Sequence, residues 1–252
     1  MPDHSHFGDL ANQTSKRLAL SLGLTAAFVG IEIIAGIFGN SLALLTDAAH
    51  NFTDVIALGL SWYAIKLATQ PAHAGKTFGY HRVGILVALV NSTTLVLIAL
   101  GIFYEAWKRF LSPPEVDSAI LIGVGALAFF INLGTAWLVK NGSEHDLNLR
   151  STFLHLMGDV MSTLGAVFAG IVIAFTNWNW LDPLVSVLIG AFILWNAWGI
   201  LRQAANILLE NAPESFDMNT MVSDLLEVEG VRDVHDLHVW SINENLRALS
   251  AH

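Results

Sequence analysis

Cysteine is absent from this sequence and charge is scarce. The missing thiols exclude disulfides and thiolate metal sites. Charged residues make up 13% of the chain, against roughly a quarter in an ordinary soluble domain. Lys and Arg together number 12 and form no clustered basic face, so a nucleic-acid partner is excluded. Met1 to Arg17 is polar and lacks the ordered basic, short apolar and cleavage segments of a secretory signal. The formal net charge of -9 comes in good part from acids after Leu208.

Apolar residues are abundant: 54% of the chain, with a mean hydropathy of +0.56. That composition is one of a membrane protein. About 20 mostly apolar residues cross the hydrocarbon of a bilayer. Such runs extend from Leu18 to Phe38, Leu42 to Ile65, Val83 to Trp107, Ala119 to Val139, Thr152 to Phe175 and Leu184 to Leu201. Gly39-Asn40, Pro71 to Tyr80, Pro113-Pro114, Asn141-Gly142 and Asn177 to Pro183 break them. The expected fold is therefore an all-α membrane protein, a bundle of six transmembrane helices.

With the N-terminus placed in the cytoplasm, the inner side collects Lys16, Arg17, Lys66, Lys76, Arg82, Lys140, Arg150 and Arg202. The outer side holds Lys108 and Arg109. Positive charge accumulates on the cytoplasmic side of multi-pass proteins, so both termini are expected there. Beyond Glu210 the texture is soluble. A helix is expected from about Met218 to Glu227, followed by a strand within Val231 to Trp240 and another within Arg247 to His252. So little structure buries too little to stand alone, and this α+β segment is expected to be incomplete. The expected division is a tail over 1–17, a membrane domain over 18–207 and a partial cytoplasmic domain over 208–252.

Two apolar runs carry a costly pattern. His50 and Asp54 stand four residues apart in the second, and His155 and Asp159 repeat that spacing in the fifth. Such spacing places both side chains on one helix face. Ionisable groups inside a membrane face a partner or a water-filled cavity. Continuing along each face from the His, Ala57 and Ser61 follow in one helix and Ser162 and Ala166 in the other. Small residues allow close helix approach. The four polar groups are thus expected to meet as a tetrahedral shell for zinc, cadmium or cobalt. Two carboxylates in low dielectric are neutralised by one divalent ion or by protons, so metal and protons compete for them. Exchange of a divalent metal ion against protons is the function expected. A membrane sensor or scaffold that binds metal without moving it is the alternative. A metalloenzyme is not expected, since catalytic zinc keeps an open position and no His-Glu-x-x-His occurs. Asp47 and Asn51 are candidates to position His50. Glu32 is expected to pair between helices, and Asp182 to cap the sixth helix.

Asn40 to Asp54, together with both His-x-x-x-Asp pairs, resembles the signature of the cation diffusion facilitators, zinc-transporting branch. Phe78-Gly79-Tyr80-His81-Arg82, Asp182-Pro183 and Val234 to Trp240 extend the similarity to nearly the whole chain. The resemblance, to the bacterial cobalt-zinc-cadmium resistance type, implies a homodimeric exporter in the inner membrane, driven by inward proton flow. It implies zinc as cargo, no organic cofactor and a ferredoxin-like cytoplasmic domain, longer than the segment beyond Leu209 here. It also matches His235 and His252 to two ligands of that domain's metal site. Where some members hold a further metal after the second span, this chain has Lys76 and Tyr80.

Overall fold

A computed structural model of the chain describes Gly23 and residues 26–140, 147–213, 216–243 and 246–252. The expected tail over 1–17 lies outside the described residues. The described helices are α1 (Ala26–Phe38), α2 (Leu42–Ala68), α3 (Val83–Leu111), α4 (Ser118–Lys140), α5 (Leu147–Thr176), α6 (Leu181–Leu208) and α7 (Met218–Leu226). They are joined by two strands, β1 (His238–Ser241) and β2 (Arg247–Ser250).

Six spans were expected, and four described helices are long and apolar enough to cross a membrane: Val83–Leu111, Ser118–Trp137, Phe153–Thr176 and Leu181–Leu208. The stretch of the first span before α1 lies mostly outside the described residues. The second, α2, has the length at 27 residues, but Asp47, His50, Asn51 and Asp54 break its apolar run.

Of those polar residues Asp47, His50 and Asn51 are turned inward. Buried positions include Ser41, Thr46, Asp47, His50, Asn51, Thr53, Ser92, Asp159, Thr163 and Ser186. Phe38, Phe130, Trp137, Phe168, Phe175 and Trp195 are exposed. In water this distribution would be inverted. In lipid it is the low-energy one, because hydrocarbon is as apolar as the side chains facing it and helices are held by close packing and polar contacts.

The chain forms two compact units, one made of the chain up to Ile56 with Leu95–Trp195, the other of Ala57–Thr94 with Asn196–His252. In the first, α4 lies against α5 through reciprocal glycines. A Cβ on Gly170 would come within 2.9 Å of Ile122 Cγ1, and one on Gly125 within 3.0 Å of Val167 Cγ2. Around them Ala35, Ala43, Leu44, Val116, Leu121, Ala166 and Ile173 form a core.

The start of α2 is fixed by a residue far away in sequence. Ser41 Oγ donates to Asp182 Oδ1 at 2.6 Å, Leu42 N–H to Asp182 Oδ2 at 2.7 Å and Ala43 N–H to Oδ1 at 3.2 Å. Asp182 was expected to cap α6. It lies instead inside the first turn of α6 and satisfies the free N–H groups of α2, with the positive end of that helix adding to the attraction. Arg109 Nη1 stands 3.8 Å from Asp182 Oδ2 and donates to the carbonyl of Asn40 at 2.6 Å. Asn40 itself has φ 51°, a left-handed turn that Asn tolerates.

In the second unit Ile85, Ala204 and Ile207 pack α3 against α6. Arg82 pairs with Glu210 at 2.9 Å, both partly exposed. The Lys76 ammonium lies 4.9 Å from the Tyr80 ring centroid. Asp217 caps α7, accepting from Asn219 N–H. The Thr220 hydroxyl first, and then that backbone N–H, hold its carboxyl below the usual range. The strands pair antiparallel with His238 opposite Ser250 and Ser241 opposite Arg247. The first strand is shorter than its apolar run suggests: Gly230 with φ 94° and Asp236 with φ 53° turn the backbone before it begins.

Candidate metal centre

Helix periodicity builds each half of the centre. His50 and Asp54 lie one turn apart on α2, and His155 and Asp159 one turn apart on α5. Thr53 Oγ1 donates to the carbonyl of His50 at 2.7 Å and Thr163 Oγ1 to that of Asp159 at 2.9 Å. These hydroxyls are satisfied within their own helices, which is how Ser and Thr are accommodated in a span.

The two halves meet. His50 Nε2 is 3.4 Å from Asp54 Oδ2 and 3.5 Å from Asp159 Oδ1. His155 Nε2 is 3.0 Å from Asp54 Oδ2 and 3.9 Å from Asp159 Oδ2. The two imidazoles are edge to face with centroids 5.4 Å apart. A tetrahedral zinc with bonds of about 2.0–2.1 Å spaces its donors about 3.3 Å apart. The four nitrogen-to-oxygen distances bracket that edge length. Donors of His50, His155 and Asp159 all come within 4.8 Å of one another. Asp54 adjoins that group through both imidazoles.

Burial divides the centre. The side chains of His50 and Asp159 are 10% and 7% exposed, those of Asp54 and His155 32% and 42%. One flank is therefore closed and the other open. The short cross-helix distances pair His50 with Asp159 and Asp54 with His155, so the residue following His50 by four and the residue preceding Asp159 by four lie on the same flank.

Asp47 and Asn51, expected to position His50, make a different contact. Asn51 Nδ2 donates to Asp47 Oδ2 at 3.3 Å and to Glu32 Oε2 at 3.5 Å. His50 Nδ1 has no hydrogen-bond partner, so the expected Asp47-to-His50 bond is not made. Glu32 does pair between helices. Asn132 in α4 is buried with Nδ2 unpartnered. In the second unit His235 and His252 exchange backbone hydrogen bonds of 2.7 and 2.9 Å. Their rings lie parallel with centroids 6.1 Å apart. Among the described residues no third His or carboxylate completes a metal-binding group with them. Asp182, Ser41 and Arg109 as a cluster escaped the sequence reading, since the only local signal was an Asp before a Pro.

Residues 18–209 match the family described as the cation efflux transmembrane domain, and residues 213–252 the cytoplasmic domain of cation efflux proteins. A cadmium, cobalt and zinc/H(+)-K(+) antiporter of Bacillus velezensis is 38% identical over 252 residues, covering 99% of this chain and 80% of that one. The metal cation efflux system protein CzcD of Cupriavidus metallidurans is 36% identical, covering 99% and 78%. The zinc transporter ZitB of Escherichia coli is 36% identical, covering 96% and 78%. Two opposed His–Asp pairs on membrane helices and a similarity that runs through both domains lead to one conclusion: the chain belongs to the cation efflux family.

Proposed function

We propose that this protein exchanges a divalent metal ion of the zinc class against protons across a membrane, using His50, Asp54, His155 and Asp159 as its transport centre. The observation that carries this reading is the set of four short nitrogen-to-oxygen distances between α2 and α5. Relatives named for zinc, cadmium and cobalt transport support it. Two imidazoles and two carboxylates suit borderline ions better than magnesium or calcium, which prefer all-oxygen shells.

The coupling follows from electroneutrality. Asp54 and Asp159 are two negative charges in a low-dielectric setting. One divalent ion neutralises them, and so do protons, but a donor that carries a proton cannot ligate. Metal release therefore accompanies protonation. Six spans with cytoplasmic termini give the direction. Asp54 and His155 then lie on the inner flank, and they are the more exposed pair. Metal enters from the cytoplasm, and closure of that flank with opening of the other delivers it outward. A homodimeric assembly in a bacterial inner membrane, with 18–207 as the membrane domain, 1–17 as a tail and 208–252 as the cytoplasmic part, completes the reading.

The test is zinc flux into proteoliposomes with an imposed pH gradient. Flux is expected from the parent protein and background flux from Asp54→Ala and Asp159→Ala. Undiminished flux in either variant would exclude the centre.

A further inference from the structure

Lys and Arg are rare in the later part of the chain. Beyond Arg150 they are Arg202, Arg232 and Arg247, and Arg202 and Arg247 line one cavity of about 790 Å³ within the second unit. Arg202 comes from the last turns of α6, with Gln203 and Asn206 beside it on the same wall. Arg247 opens β2, while Asn211 and Asn243 add amides from the loop after α6 and from the turn between the strands. Among the described residues no Asp or Glu lines the cavity, although acids outnumber Lys and Arg beyond Leu208. The last carbonyls of α6 are already satisfied. Leu209, Asn211 and Glu210 N–H donate to the carbonyls of Ala205, Asn206 and Ile207 at 2.9, 3.1 and 3.2 Å, and Glu210 turns the chain with φ 60°.

The position of this cavity along α6 bears on what fills it. Helix α6 is long and apolar enough to cross a membrane, and Trp195 and Trp198 near its end are exposed. Exposed Trp at the end of a span sits at headgroup level. Arg202 follows Trp198 by four residues, which places it on the same helix face about 6 Å further along the axis. A guanidinium presents a planar fork of donors that matches the oxygens of a phosphate, and basic pockets at this depth suit anionic headgroups. We propose that the cavity binds a phosphate-class anion, held by Arg202 of α6 and Arg247 of β2. The phosphate of an anionic lipid headgroup and free inorganic phosphate share that chemistry. An anion held by both guanidinium groups joins the end of a membrane helix to the two-stranded sheet, so its occupancy sets how firmly the sheet is held to α6. Neither arginine belongs to the four-donor centre.

The test uses the full chain, purified in detergent and stripped of lipid. Native mass spectrometry counts bound phosphatidylglycerol and phosphatidylcholine, and equilibrium dialysis measures radioactive inorganic phosphate. Saturable binding of phosphatidylglycerol in preference to phosphatidylcholine is expected if the source is lipid, and saturable binding of inorganic phosphate if it is soluble. Either signal is expected to weaken about tenfold in Arg202→Gln and in Arg247→Gln, each of which removes a charge-assisted contact. It is expected to be unchanged in Arg232→Gln, which removes the same charge outside the cavity. All three arginines are exposed, and an unchanged unfolding midpoint without ligand reports an intact fold. Absence from the parent protein of both phosphate binding and a preference for phosphatidylglycerol overturns the proposal without recourse to any variant. So does equal weakening in Arg232→Gln, or undiminished binding in a folded Arg202→Gln.

Discussion

At the residue scale the centre is defined by two nitrogens and two carboxylates held at near-ligating distances with unequal access to the surroundings. Burial is costly for such groups unless each has a partner, and here the Nε2 of each imidazole faces both carboxylates. On the proposed function, apparent zinc affinity is expected to fall as pH falls, because protons compete for the proposed donors. Calorimetric titrations at stepped pH check this, with proton release on zinc binding as the companion signal. A pH-independent affinity would place the metal elsewhere. The pairs were legible in the sequence because a spacing of four is a local rule of the helix. The Glu32–Asn51–Asp47 contact was only half legible: a lone acid in an apolar run stands out, but its partners on another helix do not.

At the element scale, two devices hold the centre's helices. Asp182 supplies acceptors to Ser41, Leu42 and Ala43 at the start of α2. Removing it leaves buried donors without partners, each costing about 1–3 kcal/mol. Thermal unfolding in detergent is expected to rank the parent above Asp182→Asn and that above Asp182→Ala, since Asn keeps one acceptor. Equal midpoints for all three would refute the capping role. The second device is close packing. Gly170→Ala places a methyl 2.9 Å from Ile122 Cγ1 and 3.1 Å from Leu121 Cγ, and overpacking of this kind costs about 1–3 kcal/mol. Gly134→Ala meets nothing within 4 Å and replaces a flexible residue in a helix, a change worth about 0.5–1 kcal/mol in the favourable direction. Opposite shifts of the unfolding midpoint are expected from two changes of identical chemistry. Helix starts and stops were readable where Gly, Pro or an Asp cap stood locally, as at Asp217. The partner of the α2 terminus was not, being 140 residues away in the chain.

At the scale of the whole molecule, the outward-facing Phe and Trp residues and the inward polar ones describe a protein solvated by lipid. The proposed orientation has a direct check, because the chain has no cysteine of its own. A membrane-impermeant thiol reagent applied to intact cells is expected to label Ser112→Cys, between α3 and α4, and to spare Gly75→Cys, between α2 and α3. The reverse pattern would invert the topology and with it the assignment of Asp54 and His155 to the inner flank.

The amino-acid sequence by itself determined the solvent, most of the helices and the spacing of the two His–Asp pairs. Composition reports what the chain must dissolve in, and period and spacing act over a few residues. In α2 the functional polar groups lower the apolar signal by which a span is identified, so function and span compete for the same residues there. Only the tertiary structure decided that α2 and α5 bring their pairs together, that one flank of the centre is open, and that Asp182 serves a helix other than its own. Those outcomes depend on contacts between segments more than 100 residues apart, and packing across such distances leaves no periodic trace in the chain.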